Sequence, residues 1–165
     1  METRTAARAI ILIAIGVALS PFTSIPIGIA RINPTQHFVN VLAAVMLGPW
    51  WAAGAALITG ILRNVLGTGT LLAFPGGMIG AFLAGGLYAL TRNLYLGALG
   101  EVIGSGLLGA VVSALMVAPV FMGKPMALGV LIVAFSGSTI VGSILGILAL
   151  KLLNRAGLVQ LGSRH

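Results

Sequence analysis

Of 165 residues, 59% are hydrophobic and only 7% charged, where an ordinary soluble domain has about 45–50% and about 25%; so short a chain cannot hide that much apolar surface from water, and its solvent is lipid. Two acids, Glu2 and Glu101, and no cysteine exclude most carboxylate catalysis, an acidic or thiolate metal site, and disulfides. The nine bases give a net charge of +7 but lie scattered singly, a pattern of membrane topology and lipid contact rather than nucleic-acid binding.

At about 20 residues per span, the chain has room for six helices with short connections. Arg4 and Arg8 lead into an apolar run from Ala9 to Leu19. Ala18-Leu19-Ser20 could mark a signal-peptide cleavage site, but everything downstream is equally membrane-like, which favours an uncleaved first helix over about 6–22. Phe22 to Asn33, with Pro26, Gly28 and Arg31, is too polar to span. Asn33-Pro34 then supplies an N-cap and a proline at the first helical position. The second helix is expected over about 34–47, broken from a third (about 50–66) by Gly48-Pro49. A glycine-rich connection follows Arg63, and helices are expected over about 75–91, 97–121 and 126–153. The whole chain, 1–165, reads as a single membrane domain.

Charge chooses among topologies. With six spans and the N-terminus inside, Arg4, Arg8, Arg92, Lys151, Arg155 and Arg164 are inside, and Arg31, Arg63 and Lys124 outside. That obeys the positive-inside rule. One kinked helix across 34–66 would leave five spans and put the C-terminal bases outside.

Small residues recur four apart on most helices, as in Ala52/Ala56/Gly60, Gly76/Gly80/Ala84, Gly100/Gly104 and Ser138/Gly142/Gly146. Such stripes let helix backbones approach closely in lipid, and internal packing explains most of them. Ala14 and Ala18 are the exception, because a terminal helix at the edge of a bundle can offer that face to a partner.

Enzyme chemistry finds little support. Ser105, Ser136 and Ser138 would need a general base within reach, and the only histidines are His37 and His165. No phosphate-binding G-x-x-x-x-G-K-[ST] loop occurs, since the one Gly-Lys pair, Gly123-Lys124, is followed by Pro125. What remains is a polar cluster at the outer end of the bundle. Gln36, His37 and Asn40 share one face of the second helix, near Arg31, Arg63, Asn64 and Phe74. Polar groups with a few aromatics at a bundle mouth suit a small-molecule pocket. Helix capping and interfacial hydration would account for Asn33 and are an alternative for Asn64, and Arg63 can simply snorkel. Glu101, expected near the inner start of the fifth helix, is either a functional intramembrane carboxylate or the salt-bridge partner of Arg92. Trp50 and Trp51 fit an aromatic belt at the inner interface.

Five ordered motifs then carry a resemblance: Asn33-Pro34-x-Gln36-His37-x-x-Asn40-Val41, Leu47-Gly48-Pro49-Trp50, Arg63-Asn64-x-x-Gly67-Thr68-Gly69, Leu72-Ala73-Phe74-Pro75-Gly76-Gly77 and Gly100-Glu101-x-x-Gly104. They resemble the ThiW family, substrate-capturing S components of energy-coupling factor (ECF) vitamin transporters. The resemblance spans about 6–153, departing at Gly77 and Ser105, where serine and threonine are expected. It implies an all-α six-helix S-component bundle with both termini cytoplasmic, in a prokaryotic plasma membrane. It further implies capture of a thiazole precursor of thiamine, hydroxyethylthiazole foremost, with no cofactor and no metal. The partners implied are a transmembrane scaffold subunit, meeting Ala14 and Ala18, and two cytoplasmic ATPases; the S component is thought to topple in the membrane to release its ligand inside.

The expected substrate contacts are Phe38 and Phe74 on the ring, and Gln36, His37, Asn40, Asn64 and Arg63 on the polar atoms. Segments 22–33 and 64–74 would be lids. A mouth with no acid suits a neutral ligand and counts against cationic thiamine. Three other readings stay open: a stand-alone proton-coupled carrier using Glu101, a structural subunit without a ligand, and an S component for another vitamin precursor.

Overall fold

The computed structural model describes residues 2–27 and 30–162; Gly28, Arg164 and His165 lie outside them. Among the described residues the chain forms six helices and one short hairpin. Helix α1 covers Glu2–Thr23. The hairpin pairs β1 (Ile25–Ile27) antiparallel with β2 (Ala30–Ile32), Ile25 opposite Ile32 and Pro26 opposite Arg31. Then come α2 (Pro34–Leu47), α3 (Pro49–Val65) and α4 (Ala73–Thr91). Helix α5 runs Leu94–Phe121 and α6 runs Leu128–Arg155.

Four of these helices, α1, α4, α5 and α6, are long and apolar enough to cross a membrane by themselves. Helices α2 and α3, at 14 and 17 residues, are shorter than the usual span of about 20.

The helix boundaries follow local chemistry. Asn33 adopts an extended conformation and its side chain accepts from the Gln36 N–H, with Pro34 at the first helical position. Gly48 separates α2 from α3 at φ 86°, a left-handed conformation that glycine adopts without steric cost; the two are therefore not one kinked helix. Helix α5 starts at Leu94 rather than near 97, because Asn93 caps it, accepting from Tyr95 N and Leu96 N. The hairpin was not expected in the polar 22–33 stretch.

Helix α5 is wound as a π-helix over Val102–Leu108 and again over Ser113–Phe121. Such windings are rare and concentrate at functional sites. The interior is built from small residues. Ala43, Ala44, Ala52, Ala56, Ala81 and Ala84 are all buried around Leu12, Val41 and Leu150. A second cluster packs α5 against α6 through Ala110, Ala118, Leu131 and Phe135. Helix α4 packs on α2, α3 and α5, so it forms the floor against which the polar start of α2 is set.

Both described chain ends lie at the same end of the bundle. The Gly162 N–H donates to Tyr88 Oη at 3.2 Å, while Arg4 and Arg8 line a cavity shared with Tyr88 and Arg92. The hairpin and the 66–72 connection occupy the opposite end.

Candidate functional site

The first turns of α2 place Gln36, His37 and Asn40 against α4 and α5, under the hairpin. Glu101 meets them there. Its Oε1 lies 2.8 Å from His37 Nδ1, accepts from Asn40 Nδ2 at 3.0 Å, and is 2.8 Å from Ser105 Oγ. Glu101 is fully buried, whereas 13% of the His37 side chain is exposed. This corrects two expectations. Glu101 pairs with His37 rather than with Arg92, and the site contains an acid. The cause is packing: the polar N-terminal turns of α2 lie against α5 at the level of Glu101.

A carboxylate only accepts, so the Glu101–His37 contact is donated by His37 Nδ1. His37 lines a cavity together with Arg31, Asn33, Gln36, Ser105 and Ser138, and with Ile32 and Phe135 as its apolar side. The centre of a water-sized sphere is free to move over about 20 Å³ of it, room for about one water. Ser138 is 2% exposed and its Oγ has no hydrogen-bond partner. A buried hydroxyl left unpaired is costly unless something else completes it, which makes Ser138 a candidate contact that the sequence offered only as packing.

Arg63 is 1% exposed. Its Nη1 donates to Gln36 Oε1 and its Nη2 to Thr68 O at 3.3 Å, so it ties α3 to α2 and to the loop above. This is not a snorkelling arginine. Gln36 Nε2 stands against Gly77, where even a Cβ would collide with it. Asn40 also donates to Gly77 O at 3.2 Å, so its amide N–H groups are both spent inside the bundle. Asn64 donates to Gly60 O at 2.9 Å and to Thr70 O at 3.4 Å, holding the glycine-rich loop. The Phe74 ring packs over Gly60, and Phe38 packs on the apolar core of α2 and α6. Phe135, rather than Phe38 or Phe74, is the aromatic in the cavity wall.

The roof is tied down at several points. Arg31 Nη1 donates to Gly67 O at 2.8 Å, and Ser24 Oγ to Thr68 O at 3.4 Å. Asn33 Nδ2 donates to Ser20 O and Ser20 Oγ at 3.2 and 3.0 Å, fixing the hairpin's exit to the end of α1. Hairpin and loop thus meet over the cavity. On the outside, Ala14 and Ala18 are exposed on α1. Trp50 is 78% exposed and packs edge-on to Phe82. No group of three metal-binding side chains occurs among the described residues.

The described residues thus form a helical, membrane-type bundle with a polar cavity under a strapped hairpin. The structure is similar to a solved one, the S component of a bacterial ECF transporter, at TM-score 0.66 and 20% identity, covering 94% of this chain and 98% of that one; the chain shares its fold and is a multi-pass membrane protein. No curated protein matches it in sequence. Residues 6–156 match the model of ThiW, thiamine-precursor transporter protein, and the chain belongs to that family.

Proposed function

We propose that this protein is the substrate-capture S component of an ECF-type importer and takes up a small neutral thiamine precursor, hydroxyethylthiazole foremost, from outside. In this reading all six helices span a prokaryotic plasma membrane, with both termini cytoplasmic. The exposed Ala14/Ala18 face of α1 meets a transmembrane scaffold subunit, and two cytoplasmic ATPases supply the energy. The observation that carries the reading is the cavity under the hairpin. His37 and Ser138 line it, the Ser138 hydroxyl with its hydrogen-bonding capacity unspent, and Phe135 and Ile32 offer apolar surface. A thiazole with a hydroxyethyl arm supplies one hydroxyl, a ring nitrogen as acceptor, and an otherwise apolar body.

The case against thiamine that rested on an acid-free mouth no longer holds, because Glu101 lies just behind His37. Thiamine therefore belongs in the test as a full competitor.

Because the cavity has room for about one water, ligand entry requires the hairpin and the 66–72 loop to part. Arg31→Ala removes the Arg31–Gly67 hydrogen bond at an exposed position, where such charged contacts contribute modestly. The expected result is ligand release about threefold faster, with the melting temperature of the ligand-free protein unchanged. An unchanged release rate, read by stopped-flow dilution, would show that the roof opens elsewhere.

The deciding experiment is thermal unfolding of the purified protein in detergent with hydroxyethylthiazole, its phosphate, thiamine, hydroxymethylpyrimidine and riboflavin. A ligand that binds only the folded state stabilises it by about 2.7 kcal/mol at a hundredfold excess over Kd. A shift with hydroxyethylthiazole alone supports the reading; a shift with another compound keeps the transporter and moves the substrate. No shift with any of them overturns it.

A second reading, a stand-alone proton-coupled carrier, draws on the burial of Glu101 and its unpartnered Oε2. Uptake driven by a pH gradient in liposomes containing this protein alone would establish it.

A further inference from the structure

Among the described residues Arg63 is the one buried base, and it forms no ion pair. Both of its Nη groups are spent on neutral oxygens, Gln36 Oε1 and Thr68 O, and its Nε–H has no partner. The charged neighbour that acts on it is a second cation, Arg31, whose guanidinium donates to Gly67 O. The two acids of the chain are engaged or distant. Glu101 Oε1 meets His37, Asn40 and Ser105, and its Oε2 stands against Gly80. Glu2 begins α1, whose 22 residues put about 30 Å between it and the hairpin end. Gly162, beside Tyr88, lies at that far end too.

A buried charge is costly unless it is paired. Arg63 lies in the last turn of α3, and the negative end of that helix offsets only a fraction of the cost. A second cation nearby raises it further. Within a membrane bundle, an ionisable residue at such depth is a functional candidate by default. The chemistry of a guanidinium is the gripping of oxyanions through its fork of N–H groups. The roof supplies the access. Parting the hairpin from the 66–72 loop breaks the Arg31–Gly67 and Arg63–Thr68 contacts, so the movement that admits a ligand frees an N–H on each arginine. Arg31 and Gln36 line the cavity on that side, and an oxyanion accepts more strongly than the neutral carbonyls given up.

We propose that Arg31 and Arg63 form an oxyanion subsite beside the thiazole pocket, filled by a phosphate group carried by the substrate or bound free alongside it. The subsite belongs to the site of the proposed function and rests on that reading only for the thiazole itself.

The test uses the full-length protein in detergent and measures affinities by calorimetry. The ligands are hydroxyethylthiazole, its phosphate ester, and hydroxyethylthiazole in sodium phosphate against sodium chloride at equal ionic strength; sodium phosphate is also titrated alone. Arg31→Gln is expected to weaken phosphate binding about tenfold, the effect of one hydrogen bond between charged groups. It is expected to change affinity for the alcohol no more than about threefold. Arg63→Lys keeps the charge without the fork and is expected to lose phosphate affinity at least as far as Arg31→Gln. Lys124→Gln, exposed between α5 and α6, is expected to change phosphate binding less than about twofold.

An ester that binds more tightly than the alcohol, with the advantage lost in both arginine variants and kept in Lys124→Gln, establishes the subsite with a phosphate carried by the substrate. Alcohol affinity raised by sodium phosphate, with the same pattern of loss, establishes it with a free anion. Phosphate without effect in either form, or an effect that survives in both arginine variants, overturns the proposal. Phosphate binding without alcohol binding would overturn the proposed substrate and leave the subsite standing; alcohol binding indifferent to phosphate would do the reverse. Melting of each variant without ligand shows whether it folds, and Arg31→Gln, at an exposed position, carries the test should Arg63→Lys fail to.

Discussion

Glu101→Ala is expected to cost about 1–3 kcal/mol of stability, the usual penalty for leaving buried hydrogen-bonding groups without their partner. It is also expected to abolish stabilisation by ligand. The carboxylate holds groups from two helices, His37 and Asn40 on α2 and Ser105 on α5. Without it, His37 loses the contact that fixes its ring at the cavity wall. Glu101→Gln separates position from charge. The glutamine oxygen can still accept from His37 and Asn40, so this variant is expected to keep the fold and to bind ligand within about tenfold of the wild type, a loss of one hydrogen bond's net worth.

The same pair of variants distinguishes the two functional readings. A proton-coupled carrier that uses Glu101 as its proton site cannot tolerate glutamine, whereas a binding subunit can. Thermal unfolding with ligand, together with uptake by the assembled transporter, reads both. Complete loss of uptake in Glu101→Gln with binding intact would favour the carrier. Full ligand binding in Glu101→Ala would remove Glu101 from the site altogether.

Those residues also mark where the sequence was readable and where it was not. Asn33-Pro34 and Gly48-Pro49 announce helix ends through local chemistry, and the structure places ends at both. The family motifs collect Gln36, His37, Asn40 and Arg63 at one end because three of them stand on one helix face. The Glu101 partner was not readable. How deep a residue sits along a helix depends on how neighbouring helices are offset, and that offset is a tertiary outcome, whereas the bounds of α2 were readable. A carboxylate about two turns into a helix that begins beside Arg92 invites a local salt bridge. The actual partner lies 64 residues away in sequence. Ser138 escaped for a related reason: its place in the Ser138/Gly142/Gly146 stripe gives packing as a sufficient explanation, and only its unpaired hydroxyl at the cavity wall distinguishes it. The cap at Asn93 was a local signal that could have been used, since asparagine is a preferred residue immediately before the first helical position.

The glycine stripes yield the other large effect. Gly104→Ala is expected to destabilise the protein by about 3 kcal/mol, at the upper end of what overpacking usually costs. A Cβ at Gly104 would stand 2.5 Å from Gly80 Cα and 2.8 Å from Gly80 N. Both obstructing atoms are backbone, so no side chain can rotate away, and relief requires α4 and α5 to separate. Separation carries a second consequence, because Gly80 also underlies the site. A Cβ there would lie 2.6 Å from Glu101 Oε2, so Gly80 is the surface on which that carboxylate rests. Moving α4 off α5 therefore shifts Glu101 relative to His37, and Gly104→Ala is expected to weaken ligand binding although it touches no ligand contact.

The control is Gly137→Ala on α6, exposed and with no atom within 4 Å of the added Cβ. There the alanine relieves glycine's helix penalty, so stability is expected to stay the same or rise by up to about 1 kcal/mol. Melting of both variants in the same detergent gives the comparison. Equal small effects would mean that the α4–α5 contact yields easily, and that backbone proximity at Gly80 does not position Glu101.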